Sequence, residues 1–203
     1  MKKYEFTGET KIVVGVTLKR IRALISFGFV VKGEIGGFIE DEKNLSHDGN
    51  AWVAGNAWVA GNARVTGNAR VTDNACVTDN AWVADNARVA GNAWVAGNAW
   101  VADNARVTDN ACVTGNAWVA GNAWVTNTTD YMLIGSIGSR NDFTTFYKDI
   151  DGGISVKCGC FSGTIEEFRE KVEETHGTNT KHAKIYKVAA DLAEMQILDQ
   201  EAE

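Results

Sequence analysis

The chain has 203 residues, a formal net charge of −6, 21 glycines, no proline and four cysteines. That length suits one to three small domains, and the acidic balance excludes a general nucleic-acid binder, which needs clustered Lys and Arg to displace counterions from phosphates. No apolar run approaches the ~18 residues of a membrane span, so no membrane partner is expected.

The chain starts Met1-Lys2-Lys3-Tyr4-Glu5-Phe6, and Glu5, Glu9 and Lys11 interrupt any apolar stretch, so this segment does not read as a signal peptide. Four cysteines without a disulfide pattern imply reduced thiols and a cytoplasmic location. Residues 1–49 are predicted to form a β-rich cap. Segments 4–7, 11–16 and 21–29 have strand composition. Gly33-Glu34-Ile35-Gly36-Gly37-Phe38-Ile39 then leads into an irregular first coil.

From Gly49 to Val125 the chain repeats every six residues. Asn50-Ala51-Trp52-Val53-Ala54-Gly55 is followed by Asn56-Ala57-Trp58-Val59-Ala60-Gly61, and thirteen valines from Val53 to Val125 keep one register. Valine favours strands and fills cores. Side chains alternate across a strand, so an inward Val53 sends Trp52 and Ala54 outward and turns Ala51 inward. Gly or Asp followed by Asn makes each corner, where left-handed φ is tolerated. A column of identical Asn side chains can hydrogen-bond along the stack. Six residues cannot close a core. Three sides make a coil of about 18 residues, and stacked coils bury a continuous core. The segment 50–127 is therefore predicted to be a β-solenoid whose uninterrupted repeat makes roughly four coils, ~4.8 Å apart.

The Val-Ala-Gly-Asn-Ala-Trp unit resembles the hexapeptide motif of left-handed parallel β-helix proteins. The left-handed coil follows from that resemblance; periodicity does not supply it. The resemblance also implies a homo-oligomer, a trimer foremost.

Positions 18 apart stack, so the outward residues form three columns: Trp52, Arg70, Arg88, Arg106, Trp124; Trp58, Cys76, Trp94, Cys112; and Arg64, Trp82, Trp100, Trp118. All seven tryptophans lie in these columns. Trp82, Trp100 and Trp118 read as an interaction stripe, because outward Trp and Arg are the residues enriched at binding hot spots. The alternative is a self-stacking ladder, or a face covered by a terminal domain. Arg70, Arg88 and Arg106 would repel by roughly 1 kcal/mol per neighbouring pair in water. Pairing with Asp73, Asp85, Asp103 and Asp109 at the corners is the expected compensation; an anionic partner is the alternative. Cys76 and Cys112, two coils apart, are too far for a disulfide and read as apolar filler.

Residues 128–203 read as a separate α+β unit. Segments 131–137, 142–148 and 154–160 are predicted strands, with Gly152-Gly153 as a turn. Thr164 starts a helix through a capping box with Glu167, Ile165, Phe168 and Val172 form its apolar face, and Gly177 ends it. A second helix spans 180–198, with Ile185, Val188, Leu192 and Met195 on one side. Ser139 and Arg140, after a strand and among glycines, offer a phosphate or carboxylate contact. The alternative is a plain turn with a surface arginine. Cys160 precedes a helix start, which can lower a thiol pKa, but no paired base is identifiable, and a buried cysteine in a strand is the expected reading.

Gly33 to Ile39, Ile137-Gly138-Ser139-Arg140 and Gly159-Cys160-Phe161-Ser162-Gly163-Thr164 resemble segments of uncharacterised bacterial and prophage hexapeptide proteins, some labelled acetyltransferases on the repeat alone. A fold does not establish a function. Hexapeptide acyltransferases use a histidine base beside an extruded loop, and a base must reach the proton it removes. Here the repeat holds neither, and the three histidines, His47, His176 and His182, lie outside it. The spacing of Cys158 and Cys160 lacks the four ligands of a structural zinc. The reading is a non-enzymatic, self-associating binding or scaffold protein, with no cofactor and no metal, acting on a host protein if the prophage resemblance holds. The competing function is an acyl-CoA-dependent acyltransferase.

Overall fold

The structure is a computed structural model and describes residues 1–198. It is mainly β: a parallel β-solenoid with a hairpin at one end and an antiparallel sheet with two helices at the other.

The cap begins with an antiparallel hairpin, β1 (Tyr4–Val13) and β2 (Val16–Ala23). The expected break after Thr7 is instead an irregularity between Phe6 and Thr10, with Gly8 at φ 92°, so the strand continues. The expected strand over 11–16 contains the hairpin turn itself. Val14 and Gly15 both have positive φ, 50° and 80°, the combination that matches a two-residue hairpin to strand twist. Valine normally avoids that region, which hides the turn; the side chain stands almost wholly in solvent. The third expected strand ends at Ala23, and residues 24–34 form a loop closed by a Phe27–Val30 bridge.

β3 (Ile35–Ile39) joins cap to solenoid. It pairs antiparallel with β2 and parallel with Trp58–Val59. Glycine is required here: a Cβ on Gly36 would lie 2.6 Å from Ile21 and 2.7 Å from Trp52, and one on Gly37 2.6 Å from the Ala57 carbonyl. The solenoid thus starts before the regular repeat. Ile39 pairs with Val59 and Leu45 bridges to Val65, an offset of 20 residues (59 − 39, 65 − 45), where Val53 and Val71 show the regular 18. Two inward aliphatics plus thirteen valines, three to a turn, make five turns.

β4 to β16 are thirteen two-residue strands, from Trp52–Val53 to Trp124–Val125, each an outward residue followed by a buried valine. They form the three expected walls. Every alanine preceding a strand is 0–1% exposed, because only a methyl group fits inside the corner. The asparagines form three ladders of Nδ2-to-Oδ1 hydrogen bonds at 2.8–3.5 Å: Asn50 to Asn122, Asn56 to Asn110 and Asn62 to Asn116. The left-handed corner residue is the one before Asn: glycine, or one of five aspartates, Asp73, Asp79, Asp85, Asp103 and Asp109, at φ 54–63°.

Beyond a turn at Thr128–Asp130 lies the second unit: β17 (Tyr131–Ile137), β18 (Asp142–Lys148), β19 (Ile154–Cys158), β20 (Phe161–Thr164), α1 (Ile165–His176) and α2 (Lys181–Ile197). The expected strand over 154–160 ends two residues early. Gly159 at φ 58° folds it into a β19–β20 hairpin that pairs Cys158 with Phe161. The sheet is buried on both faces. Tyr131, Leu133 and Tyr147 pack on the end of the solenoid, while Met132, Phe146, Ile154 and Val156 pack against the helices. The Thr164–Glu167 capping box and the Gly177 stop are in place.

The buried face of α2 is not the expected one. Ala183, Tyr186, Ala189, Ala190, Ala193 and Ile197 face the sheet, while Val188, Leu192 and Met195 are 48–66% exposed. Both faces are apolar, and the alanine face permits the closer approach of helix to sheet.

One buried charge sits in the cap. Lys3 is 1% exposed and donates from Nζ to the Ala51 carbonyl at 2.8 Å. Burial lowers its pKa from 10.5 to about 8, against the opposing pull of Asp48. Between those values the unfolded chain binds the proton that the folded chain has lost, so stability rises with pH. The stability of wild type minus that of Lys3→Met should therefore increase between pH 8 and 10.5; taking the difference removes the contributions of groups common to both proteins. Urea titrations at several pH values check this, and a flat difference contradicts it.

Candidate functional site

The outward columns are as the repeat dictates, and the buried indole N–H groups of Trp100 and Trp118 find no hydrogen-bond partner among the described residues. Trp82 and Trp100 stack with centroids 5.1 Å apart, and Trp100 and Trp118 with centroids 4.6 Å apart, all nearly parallel. Lys157 from β19 places its Nζ 4.1 Å from the Trp118 ring and ends the ladder. Stacking within the chain and a cation from the terminal domain stabilise these rings, while Trp82 keeps 40% of its surface exposed. Trp52 is buried under the cap, edge-on to Phe27.

The expected Arg–Asp pairing does not form. Among the described residues, no carboxylate lies within 4.0 Å of Arg70, Arg88 or Arg106. The corner carboxylates accept backbone N–H groups one coil on instead: Asp73 from Gly91 at 3.2 Å, Asp79 from Gly97 at 3.0 Å and Asp103 from Gly121 at 3.0 Å. A left-handed residue turns its side chain along the stack and towards these amides, and the preceding threonine hydroxyl also donates to Asp73 and Asp109, at 2.9 Å each. Arg70 lies over the Phe29 ring. Cys76 and Cys112 are free and bracket Trp94; burial pushes the Cys76 thiol up to about 11, which fits filler.

The C-terminal unit does bring sequence-singled residues together. Ser139, Arg140 and Cys160, from two different loops, line one cleft of about 470 Å³. Gly138 at φ 72° and Asn141 at φ 49° shape the first loop, which lies directly over Tyr186, where a Cβ on Gly138 would sit 1.7 Å from the phenol oxygen. The second loop is the β19–β20 turn. A Cβ on Gly159 would approach the Arg140 Nη1 to 2.9 Å, so glycine leaves room for the guanidinium. Cys160 is exposed in that turn, while Cys158 points inward. α1 contributes Lys171, Thr175 and His176 to the wall.

The floor is a short polar chain. Thr144 Oγ1 donates to the Cys158 sulfur at 3.2 Å, and that thiol donates to the Tyr186 hydroxyl at 3.8 Å. Burial, then the neighbouring Cys158, pushes the Tyr186 phenol up to about 12. It therefore stays protonated and available as a donor. His176 stacks on Tyr186 with centroids 5.9 Å apart. Among the described residues, Arg140 forms no ion pair within 4.0 Å, whereas Lys171 is held by Glu174 at 2.7 Å. The cleft thus presents the Ser139 hydroxyl, aromatic walls and a guanidinium that is unpaired among the described residues, while the Ser162 hydroxyl turns to Tyr147 on the other face of the sheet.

Sequence reading missed Lys171, His176 and Tyr186. They flank Phe168 and Val172 in space, the stripe that reads as core, and nothing in their spacing separates cleft rim from core margin. No group of three or more His, Cys, Asp or Glu suited to a metal occurs among the described residues. No described helix is long and apolar enough to cross a membrane. Compared with known protein families and with curated proteins, the chain matches none.

Proposed function

We propose that the protein is a binding protein in which a rigid solenoid carries a C-terminal cleft for an anionic group, phosphate or carboxylate. The observation that carries this reading is the convergence of Ser139, Arg140 and Cys160 with Lys171 and Tyr186 in one cleft whose guanidinium has no ion-pair partner among the described residues. A planar guanidinium grips a two-oxygen anion bidentately. Donors from Ser139 and Tyr186 share the same space, and the apolar walls of Phe161 and Phe168 strengthen the attraction by lowering the local dielectric. The solenoid supplies stiffness, because each coil is fixed by backbone and Asn ladders to the next. If the hexapeptide and prophage resemblance extends to biology, the anion belongs to a host component that the protein sequesters or docks on.

Calorimetric titration of the whole protein with inorganic phosphate tests this. Saturable binding is expected, weakened about 10- to 100-fold in Arg140→Ala, the loss of one charge-assisted contact of roughly 1.5–3 kcal/mol. Absence of saturable binding in wild type overturns the reading. Steady release of free thiol from acetyl-CoA would replace it with acyl transfer.

A further inference from the structure

The exposed face of α2 has the form of a helix-pairing seam. Ile185, Val188, Leu192 and Met195 are spaced by three, four and three residues, the a/d pattern of two packed helices. Val188 is 66%, Leu192 48% and Met195 64% exposed, and Ile134 and Ile137 of the edge strand β17 widen the same groove. Contiguous apolar surface of this kind differs from the scattered exposed residues of an ordinary monomer. The charges beside it are polarised along the helix. Lys184 and Lys187 lie in the N-terminal half; Asp191 and Glu194 lie in the C-terminal half, where Arg169 holds both at 2.7 and 2.8 Å.

We propose that this face is a homodimer interface, formed by α2 against α2 of a second copy, antiparallel about a two-fold axis near Ala190. In that arrangement Ile185 meets Met195 of the second copy and Val188 meets its Leu192, so one seam is its own complement, as a two-fold contact requires. The lysine half of each helix lies along the acidic half of the other. A parallel pair would put lysine on lysine and acid on acid. Side-by-side antiparallel helix dipoles also attract, whereas parallel ones repel. The seam spans 10 residue steps, about 15 Å at the helical rise, which makes a dimer that dissociates on dilution. This proposal does not depend on the anion cleft.

Sedimentation velocity on the whole protein, over two decades of concentration, decides it. Wild type should pass from monomer to dimer, Leu192→Glu should stay monomeric throughout, and Trp100→Glu should associate as wild type does. Val188→Lys, at the most exposed seam position, should match Leu192→Glu and guards against a folding defect in the latter; circular dichroism melts verify both. A wild type that remains monomeric, or a dimer that survives both seam substitutions, overturns the proposal. So does a dimer lost only in Trp100→Glu, which would move the contact to the tryptophan ladder.

Discussion

Val89→Asp should abolish cooperative folding of the solenoid, while Arg88→Asp, one residue earlier, should leave its stability within about 0.5 kcal/mol of wild type, the usual range for a surface change. Val89 is fully buried and pairs in register with Val71 below and Val107 above. The interior around it is methyl groups, with no cation and no donor to take a carboxylate. An unpaired buried charge costs several kcal/mol, a large share of the roughly 5–15 kcal/mol that holds a domain together. In a solenoid each coil contacts only its neighbours, so a failed central coil separates the stack into two short pieces that cannot bury their faces. Arg88 stands in solvent between Arg70 and Arg106, and an acid there removes two like-charge contacts. Urea denaturation followed by far-UV circular dichroism separates the two outcomes. Equal stability of Val89→Asp and wild type would refute the inward assignment of the valine column.

The second large effect concerns the joint between solenoid and C-terminal unit. Asp130 is 2% exposed, and its Oδ2 accepts three hydrogen bonds: from the Thr126 amide at 2.7 Å, the Thr126 hydroxyl at 2.7 Å and the Asn127 amide at 2.8 Å. Asp130→Ala leaves these donors without an acceptor. At about 1–3 kcal/mol for each buried group left unpaired, with partial relief by water, a loss of roughly 3 kcal/mol is expected. Asp130→Asn keeps the shape and one acceptor, and should recover part of that loss. Urea midpoints of the three proteins test the order; an alanine variant as stable as wild type would show that the triple contact contributes nothing.

The solenoid was legible because its period is short and its inward residue never changes. Val, Ala and the Gly/Asp–Asn corner each answer one local constraint, so the walls, columns and Asn ladders follow from the repeat. Where two chemistries competed, pattern was not enough. The corner aspartates looked like partners for Arg70, Arg88 and Arg106, but a left-handed backbone aims their carboxylates at amides one coil away. Val14 in a turn contradicts its own propensity, so the first hairpin was hidden. α2 carries two apolar faces, and the periodicity of the larger residues pointed to the exposed one; which face meets the sheet is set by the closeness that alanine allows. The first coil was obscured by its two extra residues. In the cleft, Ser139 and Arg140 were visible as loop residues, Cys160 was expected at the end of a strand and lies in the turn after it, and Lys171, His176 and Tyr186 are brought there by helix packing that no local signal encodes.

The anion cleft is tested most directly by amide chemical shifts of the whole ¹⁵N-labelled protein during titration with inorganic phosphate. Saturating shifts should cluster at Ser139, Arg140, Gly159, Cys160 and Ser162, leave the solenoid corners unmoved, and shrink in Arg140→Ala. Shifts that never saturate, or that appear along the Arg70–Arg88–Arg106 column and not in the cleft, would contradict the account.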